Sequence, residues 1–451
     1  MMPDLPASRR RFLAAGAAAL VPVAHALTAQ AADGQEPVTV GVIGTGARGC
    51  DLLRSLTTIG GVKLVGLCDD YAPHLERGQR YAPGVPSCAD YRMLLERYKP
   101  QAVVVAVPLD RHYRVASDAL AAGCAVFCEK TMCYDLEQAT RLADQVAASK
   151  RVFQVGLQRR SNPIYQQAAA MVRSGVLGQV TSIKCQWHRN NNWRRPVPLP
   201  KSDAGYAALE RRLNWRLYRE RSQGLMAELG SHQLDVANWL LGSTPRRVVA
   251  SGGIDYWRDG RDVRDNVFCI YDYELPAQGT GGGTILTKGN TPLTPVPSPT
   301  RGEGGSQKYA VRVTYSSLCN NAFEGASELV LCTRASLLLT SNKGLLYRER
   351  TAEDVGWARA PQADDNASII TSGKTLKLSN SPWAHRGEPV EIDNLIGDDT
   401  RDELVSFIDH VRRGDVRTIC DAEEGWRDTA TVLMANRAMD SGAAVEFPKR
   451  T

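Results

Sequence analysis

Short apolar runs alternate with amphipathic stretches along the first third of the chain. The runs are rich in β-branched residues and lie at 38–43, 62–68, 102–107, 125–128 and 152–157. Helical periodicity separates them, most clearly at 91–98, 114–122 and 136–148. Continuous apolar runs of this length are typical of strands buried on both faces. Their alternation with helices predicts a doubly wound parallel sheet that binds ligands at the carboxyl ends of its strands.

The pattern changes in the second half of the chain. Further strand-like runs occur at 180–187, 247–252, 265–273 and 308–315. Two helical stretches end the chain, at 401–413 and 422–441, and Asp421 is a suitable N-cap for the second. This half predicts an α+β domain with an open, mainly antiparallel sheet that helices cover on one face.

Residues 278–307 differ in composition from the sequence around them. They combine a run of three glycines with closely spaced prolines, which cannot form a strand ladder or a packed helix. We interpret them as a low-complexity insertion in a hairpin loop, since closure entropy grows only slowly with loop length. A Pro-rich docking segment is the alternative.

The first residues have the pattern of a targeting segment. Arg9, Arg10 and Arg11 precede Phe12 and Leu13, and an alanine-rich apolar stretch with A-x-A-like small-residue positions follows. This arrangement is similar to a twin-arginine signal, and an uncleaved amphipathic anchor is the alternative. It predicts recognition by the twin-arginine export machinery and a periplasmic or otherwise exported protein. The chain therefore divides into a signal and linker (1–36), a first domain (37–157) and a second domain (158–451).

Length, charge and cysteine usage narrow the function class. A chain of 451 residues is long enough for two cores. Its formal net charge of +6 includes the three leader arginines, and no long Lys/Arg block follows, so we expect no nucleic-acid partner. The eleven cysteines are scattered and odd in number, without zinc-ligand spacing. We predict neither disulfides nor a metal site.

A glycine-rich loop follows the first predicted strand. The sequence Gly44-Thr45-Gly46-Ala47-Arg48-Gly49 stands between a strand and a helix, and this context strengthens an otherwise weak G-x-G-x-x-G motif. Gly44 makes the tight turn, Gly46 lets a pyrophosphate approach the backbone, and Gly49 lets the helix pack on the strand. The helix N-terminus attracts the phosphates, and Arg48 is assigned to the same cofactor site. The motif predicts a Rossmann dinucleotide-binding domain.

An acidic residue follows the second strand at the expected distance. Asp69 lies 20 residues after Gly49, where a carboxylate reads the ribose hydroxyls and repels a 2′-phosphate. This position favours NAD over NADP as the cofactor. Asp70 competes for the role, and one of the two is available to cap the next helix.

Several separate motifs together resemble the Gfo/Idh/MocA oxidoreductases. The resemblance runs from about Val38 to Phe447. The motifs are the G-x-G-x-x-G strand, Pro108 with His112, Ala122-Gly123 followed by Cys128-Glu129-Lys130, Gln158-Arg159-Arg160 followed by Pro163, Gly175-x-x-Gly178, and Glu228-x-Gly230-Ser231-His232-x-x-Asp235.

The resemblance implies catalytic roles for three residues. Lys130 holds or polarises the reacting carbinol between nicotinamide and substrate, and His232 is the general acid/base. Glu228, one helical turn before His232, stands where the family has aspartate and orients the imidazole or binds a substrate hydroxyl. Asp235 has the same possible uses. Thr131 replaces the family's proline after the lysine, a change expected to alter the local geometry.

The remaining candidate residues divide between cofactor and substrate. Pro108, Glu129, Lys130 and Gln158 follow strand ends and are assigned to the cofactor together with His112, which we expect to position a loop. Two segments, 187–195 and 213–218, mix aromatic rings with hydrogen-bonding side chains, a combination that suits a polyhydroxylated ligand. The substrate residues are therefore predicted to be Lys130, Arg159, Trp193, Trp215, Tyr218, Glu228, His232 and Asp235.

These assignments predict an NAD-dependent oxidoreductase acting on a secondary alcohol of a sugar, cyclitol or glycoside. Export implies a tightly held cofactor that is loaded beforehand and recycled. One alternative is a glycosidase that works by transient oxidation at ring carbon 3 followed by elimination. The other is a non-catalytic protein that binds sugar or NAD. The resemblance also implies a homo-oligomer, and it implies that the last helix packs back on the first domain.

Overall fold

The computed structural model describes residues 36–276, 308–348, 367–371, 374–379, 390–391 and 397–450. The predicted twin-arginine segment and the predicted insertion at 278–307 lie outside the described residues.

A six-stranded parallel sheet forms the core of the first domain. Its order is β3-β2-β1-β4-β5-β6, with strands β1 Val38–Ile43, β2 Val62–Cys68, β3 Ser87–Cys88, β4 Ala102–Val105, β5 Ala125–Glu129 and β6 Phe153–Gly156. The helices between the strands are α1 Ala47–Leu56, α2 Ala72–Tyr81, α3 Tyr91–Tyr98, α4 His112–Ala121 and α5 Leu136–Ser149. The strand order reverses between β1 and β4, and this switch point is where such sheets bind their ligands.

A nine-stranded sheet forms the core of the second domain. Its order is β16-β13-β12-β11-β7-β10-β9-β8-β17, and every pair in it is antiparallel except β7 with β10. Its strands are β7 Val180–His188, β8 Arg247–Gly253, β9 Asn266–Pro276, β10 Lys308–Leu318, β11 Ala326–Cys332, β12 Ala335–Leu339, β13 Gly344–Arg348, β16 Val390–Glu391 and β17 Val445–Glu446. Strands β14 Ala367–Thr371 and β15 Lys374–Ser379 pair only with each other.

Helices pack on one face of this sheet. They are α6 Pro163–Arg173, α8 Ser231–Leu241 and α10 Ala422–Ser441. Two further helices follow the first domain in the chain, α7 Tyr206–Leu213 and α9 Asp399–Arg413; α9 packs on the first domain, where Leu404, Val405, Phe407 and Ile408 join its core. Along β9, Tyr271 and Tyr273 are buried, and the Tyr273 hydroxyl donates to Asn238 Oδ1 of α8 at 2.6 Å. Phe268 and Ile270, on the other face of the same strand, are 50% and 47% exposed. The alternation shows that helices cover one face while the other faces solvent.

The last two helices connect the domains. Asp421 caps α10 by accepting from the backbone N–H groups of Glu423 and Glu424, each at 3.0 Å. Trp426 Nε1 donates to Thr140 Oγ1 of α5 at 3.0 Å, so α10 packs against the first domain.

The predicted fold class, a Rossmann sheet followed by a mainly antiparallel α+β domain, is confirmed. The strands β9 and β10 pair with Pro276 opposite Lys308, so residues 277–307 connect the two strands of a hairpin. All eleven cysteines lie in described segments; none forms a disulfide, and all but Cys88 are buried. No helix in the described part of the chain has the length and hydropathy needed to cross a membrane. The same segments hold no group of three or more His, Cys, Asp or Glu side chains that could bind a metal ion.

Candidate active site

A cleft of about 920 Å³ lies between the carboxyl ends of the parallel strands and the second domain. One wall carries the glycine-rich loop and the residues that follow β2, β4 and β5. The other wall carries the segment after β7, the turn after α7 and the start of α8. The predicted site residues that line this cleft are Gly44, Gly46, Arg48, Asp69, Pro108, His112, Glu129, Lys130, Gln158, Trp193, Trp215, Glu228 and His232.

The loop between β1 and α1 has the geometry that a bound pyrophosphate requires. Gly44 has a φ of +96°, and a Cβ there would lie 2.5 Å from the Ala106 carbonyl oxygen. Gly49 lies behind the loop, where a Cβ would come within 1.9 Å of the Gly44 carbonyl oxygen. A Cβ at Gly46 would meet nothing closer than the His74 ring at 3.8 Å, so its backbone is open to the cleft. Helix α1 has no side-chain cap and no acid in its first turn, which leaves its N-terminus suited to an anion.

Asp69 is held in place at the end of β2. Its Oδ2 accepts from the Thr45 backbone N–H at 2.8 Å, and its Oδ1 accepts from that of Tyr71 at 2.9 Å. Burial opposes ionisation, but hydrogen bonds from His74, Thr45 and Tyr71 hold the pKa of Asp69 below its usual value. The carboxylate is therefore charged and oriented beside the glycine-rich loop, where it can accept from ribose hydroxyls.

Asp70 has a different role from Asp69. Its two oxygens pair with Arg111 Nη1 at 2.8 Å and with Arg212 Nη2 at 2.6 Å. Arg212 belongs to α7, so these contacts connect the two domains at the rim of the cleft. Neither aspartate caps the next helix, because the N-cap of α2 is Tyr71.

Arg48 connects the glycine-rich loop with three other parts of the site. Its guanidinium donates to Glu129 Oε1 at 2.7 Å, to Glu403 Oε1 at 2.9 Å and to Thr400 Oγ1 at 2.9 Å. Gln158 Oε1 also accepts from Arg48, at 3.4 Å. The N-terminal turn of α9 thereby supports the loop from behind, a contribution that the sequence did not indicate.

His112 joins two backbone segments at the cleft. Its Nδ1 lies 2.9 Å from the Thr131 carbonyl oxygen, and its Nε2 lies 3.0 Å from that of Val107. Pro108 follows Val107 directly, so the ring connects the chain after β4 with the chain after β5. This geometry fits a positioning role for His112.

Lys130 reaches across the cleft to the helical turn that precedes α8. Its Nζ donates to the carbonyl oxygens of Ala227 at 3.0 Å and of Glu228 at 2.9 Å. The Thr131 hydroxyl donates to the same Ala227 oxygen at 3.2 Å, so the residue that replaces the family's proline also contacts this turn. Burial lowers the pKa of the Lys130 ammonium, while the Glu228 and Glu129 carboxylates oppose that shift. Since an ammonium has three N–H donors, one remains for a ligand.

His232 has no hydrogen bond to its ring nitrogens from any described residue. Its ring centroid lies 5.3 Å from that of Trp187. Burial, and then the charges of Lys130 and Arg159, lower the pKa of His232 well below its usual value. The imidazole is therefore neutral at physiological pH and is able to accept a proton.

The Glu228 carboxylate is ionised and forms an ion pair with Arg216. Its Oε2 accepts from Arg216 Nε at 2.7 Å, and the Arg216 guanidinium stacks on Trp215 at 4.2 Å. Burial opposes ionisation, but the charges of Arg216 and Lys130 hold the pKa of Glu228 below its usual value. Glu228 belongs to a π-helical turn, Met226–Gly230, a conformation that is rare and often found at functional sites.

Three residues predicted for the substrate do not line the cleft. Arg159 is buried in an ion pair with Glu328 and donates to the Tyr165 hydroxyl at 3.0 Å. Asp235 pairs with Arg160, whose Nη2 lies 2.6 Å from Asp235 Oδ1. The prediction that Arg159 and Asp235 contact the substrate was wrong, because each forms an ion pair with a buried partner within the second domain and does not face the cleft.

Tyr218 is the third of these residues. Its hydroxyl donates to Glu210 Oε2 at 2.5 Å, and its ring packs with Leu217 and Val263. The side chain is 6% exposed, so it supports the wall behind Trp193 rather than facing a ligand.

Three arginines of the second-domain wall are functional candidates that were not predicted from the sequence. Arg189, Arg195 and Arg216 all line the cleft. Each lies within two residues of a tryptophan in the segments predicted to contact a polyol. That proximity to aromatic residues was the available signal for them.

A Rossmann domain with a pyrophosphate loop, an acid after β2 and a Lys–His pair across the cleft define an NAD-dependent oxidoreductase. Two family models match the chain: an oxidoreductase family with an NAD-binding Rossmann fold over residues 38–157, and the Gfo/Idh/MocA C-terminal domain over residues 165–297. Together they span more than half of the chain, which belongs to the Gfo/Idh/MocA oxidoreductase family. The predicted family, enzyme class and NAD cofactor are thereby confirmed.

Named relatives include two inositol dehydrogenases. Inositol 2-dehydrogenase of Gluconacetobacter diazotrophicus is 29% identical over 265 residues, which cover 54% of this chain and 71% of that protein. Inositol 2-dehydrogenase 4 of Saccharopolyspora erythraea is 30% identical over 253 residues, covering 55% of this chain and 65% of that protein.

Among solved structures, a levoglucosan dehydrogenase in complex with NADH and levoglucosan superposes with a TM-score of 0.63 at 16% identity. The match covers 92% of this chain and 100% of that chain. The myo-inositol 2-dehydrogenase from Lactobacillus plantarum gives a TM-score of 0.59 at 15% identity, with the same coverage of the two chains. At this level of identity the likeness extends to the fold alone.

Proposed function

We propose that the enzyme oxidises a secondary alcohol of a sugar, cyclitol or glycoside with NAD. The observation that carries this proposal is the position of Lys130 and His232 on opposite walls of the cleft that the glycine-rich loop lines. A merely structural lysine and histidine would be saturated by protein partners. Lys130 instead keeps a donor, and His232 keeps both ring nitrogens free of described partners.

The bound dinucleotide supplies the hydride acceptor. The chain's own residues handle the proton and the oxygen of the alcohol. Lys130 donates its remaining N–H to the carbinol oxygen and stabilises the negative charge that develops there. The neutral His232 imidazole takes the hydroxyl proton as the carbon–hydrogen bond gives up its hydride, so the alcohol becomes a ketone, the proton stays on His232 and the hydride would go to the acceptor.

The substrate wall supports a polyhydroxylated ligand. Trp193 and Trp215 line the cleft, and Glu228 keeps one carboxylate oxygen that is not held by Arg216. Aromatic faces suit the C–H faces of a sugar ring, and polar groups fix its hydroxyls. The inositol dehydrogenases among the relatives act on a ligand of this class, as their names state.

Glycoside cleavage after transient oxidation is the second candidate. Elimination next to a ketone requires a base for the neighbouring C–H besides the base for the hydroxyl. The cleft holds two separate bases, His232 and the ionised Glu228, which is the observation that keeps this route.

We propose that the precursor is exported by the twin-arginine route with NAD already bound and held tightly.

We also propose that the exposed sheet face around Val249, Phe268 and Ile270 associates with a second copy of the chain, because apolar side chains there are 44–50% exposed. Fractionation of the expressing cell and light scattering of wild type and Phe268→Lys test the two statements; a cytoplasmic or monomeric protein contradicts them.

The function is tested by denaturing the purified protein and measuring released NAD(H), then adding sugars, inositols and nitrophenyl glycosides to the native enzyme. We expect roughly stoichiometric cofactor and NADH formation with at least one alcohol. Nitrophenol release that needs bound NAD favours elimination. A protein that neither carries nor binds NAD contradicts the proposal and favours the non-catalytic alternative.

A further inference from the structure

Most charged side chains along the cleft are paired with an opposite charge. Arg48 pairs with Glu129, Arg216 with Glu228, and Arg111 with Asp70. Arg221 lies 3.4 Å from Asp110, and Arg212 lies 2.6 Å from Asp70. On the second-domain wall Arg189 and Arg195 differ, because neither guanidinium has a carboxylate partner anywhere in the described segments; on the first-domain wall the exposed Arg114 also has none there.

Arg189 is the more informative of the two. Its guanidinium lies 4.9 Å from the Trp187 ring centroid and 5.3 Å from that of Trp193. The side chain is half-buried, and the backbone N–H donates to the Leu318 carbonyl oxygen at 2.7 Å, which fixes the start of the segment after β7. Two tryptophans and a fixed backbone therefore hold this cation in one place.

Arg189 also lies close to the proposed chemistry. Its charge contributes to the lowered pKa of His232, after burial and the charges of Lys130, Arg159 and Arg48. Burial lowers the pKa of Arg189 itself, and among the groups that oppose this shift is Glu228. The guanidinium is thus a partly desolvated cation on the substrate wall. Leaving such a cation without a counter-ion is costly unless a ligand supplies one.

We propose that the substrate is a sugar acid whose carboxylate is bound by Arg189. The inference rests on the proposed function, since it names the substrate class of the same cleft. A guanidinium offers two parallel N–H donors in one plane, and this geometry matches a carboxylate. Glu228 acts on Arg189 through its charge but forms no ion pair with it, and Arg216 holds the Glu228 Oε2 at 2.7 Å.

Arg195 adds a second positive charge at the entrance of the cleft. It is exposed, lines the cleft, and lies near enough to Arg216 and Arg77 for their charges to lower its pKa after the effect of burial. Unpaired cations at a cleft mouth attract anionic ligands over distances of about a Debye length. A neutral cyclitol gains nothing from this arrangement.

The test compares D-glucuronate and D-galacturonate with their methyl esters, the corresponding hexoses and myo-inositol. The assays use wild type and the variants Arg189→Gln and Arg189→Lys. The control is Arg417→Gln, because Arg417 is far along the chain and 89% of its side chain is accessible. We expect kcat/KM for a uronate to fall roughly 10- to 150-fold in Arg189→Gln, the range for a lost charge-assisted pair. The loss is expected in KM rather than kcat, since the carboxylate is bound equally throughout the reaction. Arg189→Lys retains part of the preference, and Arg417→Gln retains all of it.

Binding provides a readout that does not depend on turnover. Each sugar is titrated into the enzyme loaded with NADH, and tighter binding of a uronate than of its methyl ester, lost in Arg189→Gln, supports the proposal. Equal binding of acid and ester, equal effects of Arg189→Gln on acids and neutral sugars, or a preference for sugar phosphates overturns it. NAD binding and oxidation of neutral alcohols are measured separately. A failure of the sugar-acid proposal is thereby distinguished from a failure of the oxidoreductase function.

Discussion

The substitutions Gly46→Ala and Gly49→Ala should distinguish an effect on NAD binding from an effect on folding stability. A Cβ at Gly46 would meet nothing nearer than 3.8 Å, and the residue has an ordinary φ of −64°. A Cβ at Gly49 would lie 1.9 Å from a backbone oxygen of Gly44. Real contacts of this kind stay beyond about 3 Å, so α1 must move away from β1 by roughly 1 Å in a close-packed interior.

The two variants should therefore behave differently. Gly49→Ala is expected to lose about 1–3 kcal/mol of unfolding free energy from overpacking, and to bind NAD weakly. Gly46→Ala should keep its unfolding free energy or gain up to about 1 kcal/mol, because alanine restricts the unfolded chain. Its methyl group nevertheless occupies the space where the pyrophosphate approaches the backbone, so we expect at least tenfold weaker NAD binding, about 1.4 kcal/mol.

Denaturant unfolding and calorimetric titration of NAD into protein stripped of cofactor measure the two effects. Gly84→Ala is not a suitable control, because its φ of +80° strains any side chain; wild type and Ser202→Ala serve instead. If Gly46→Ala binds NAD as tightly as wild type, the loop does not bind the pyrophosphate and the reasoning fails.

Three further predictions address individual side chains. Because burial and nearby cations lower the pKa of His232, the acidic limb of the kcat/KM–pH profile should lie below the ordinary imidazole value of about 6.5; a limb at or above it argues against His232 as the base. The unfolded chain binds this proton near pH 6.5 and the folded chain does not, so His232 also lowers stability as pH falls through that value. Asp235→Ala removes the 2.6 Å partner of Arg160 but leaves Glu424 at 2.8 Å from the same guanidinium, so it should cost about 1.5–3 kcal/mol in denaturant unfolding while KM stays unchanged; a rise in KM alone would return Asp235 to the substrate. Tyr218→Phe removes one hydrogen bond to Glu210, worth about 1 kcal/mol, and should leave kcat within about threefold of wild type; a hundredfold fall would return Tyr218 to the residues that contact the substrate.

The sequence was most informative where local chemistry decides the structure. The run before Gly44 is apolar on both faces and precedes a glycine turn, and the structure has β1 and α1 there. Strand β3 has only the two residues Ser87 and Cys88, too few to form a detectable pattern. Strands β11–β13 were not predicted from the sequence, although Leu337 and Leu339 are buried in β12.

The site residues were harder to predict, because the position of a residue along a helix does not show how far along that helix the cleft extends. His232 and Asp235 are one turn apart, but the cleft reaches only the first turn of α8, and Asp235 faces Arg160 instead. Gln158 and Arg159 are adjacent in a 3₁₀ turn, where successive side chains differ by about 120°, so only Gln158 faces the cleft. Such pairings depend on the arrangement of distant elements, which a single sequence does not display.

Whether Lys130 and His232 carry out the chemistry in this cleft is tested most directly by a single-turnover measurement of NADH formation by Lys130→Met and His232→Asn. Each enzyme is loaded with NAD and mixed with an alcohol that wild type oxidises, and Lys449→Met, a change at an exposed lysine, is the control. We predict that both variants retain bound NAD, that their rates fall by about 10²- to 10⁴-fold, and that the control matches wild type. Wild-type rates in both variants with NAD bound would contradict the assignment of the chemistry to this cleft.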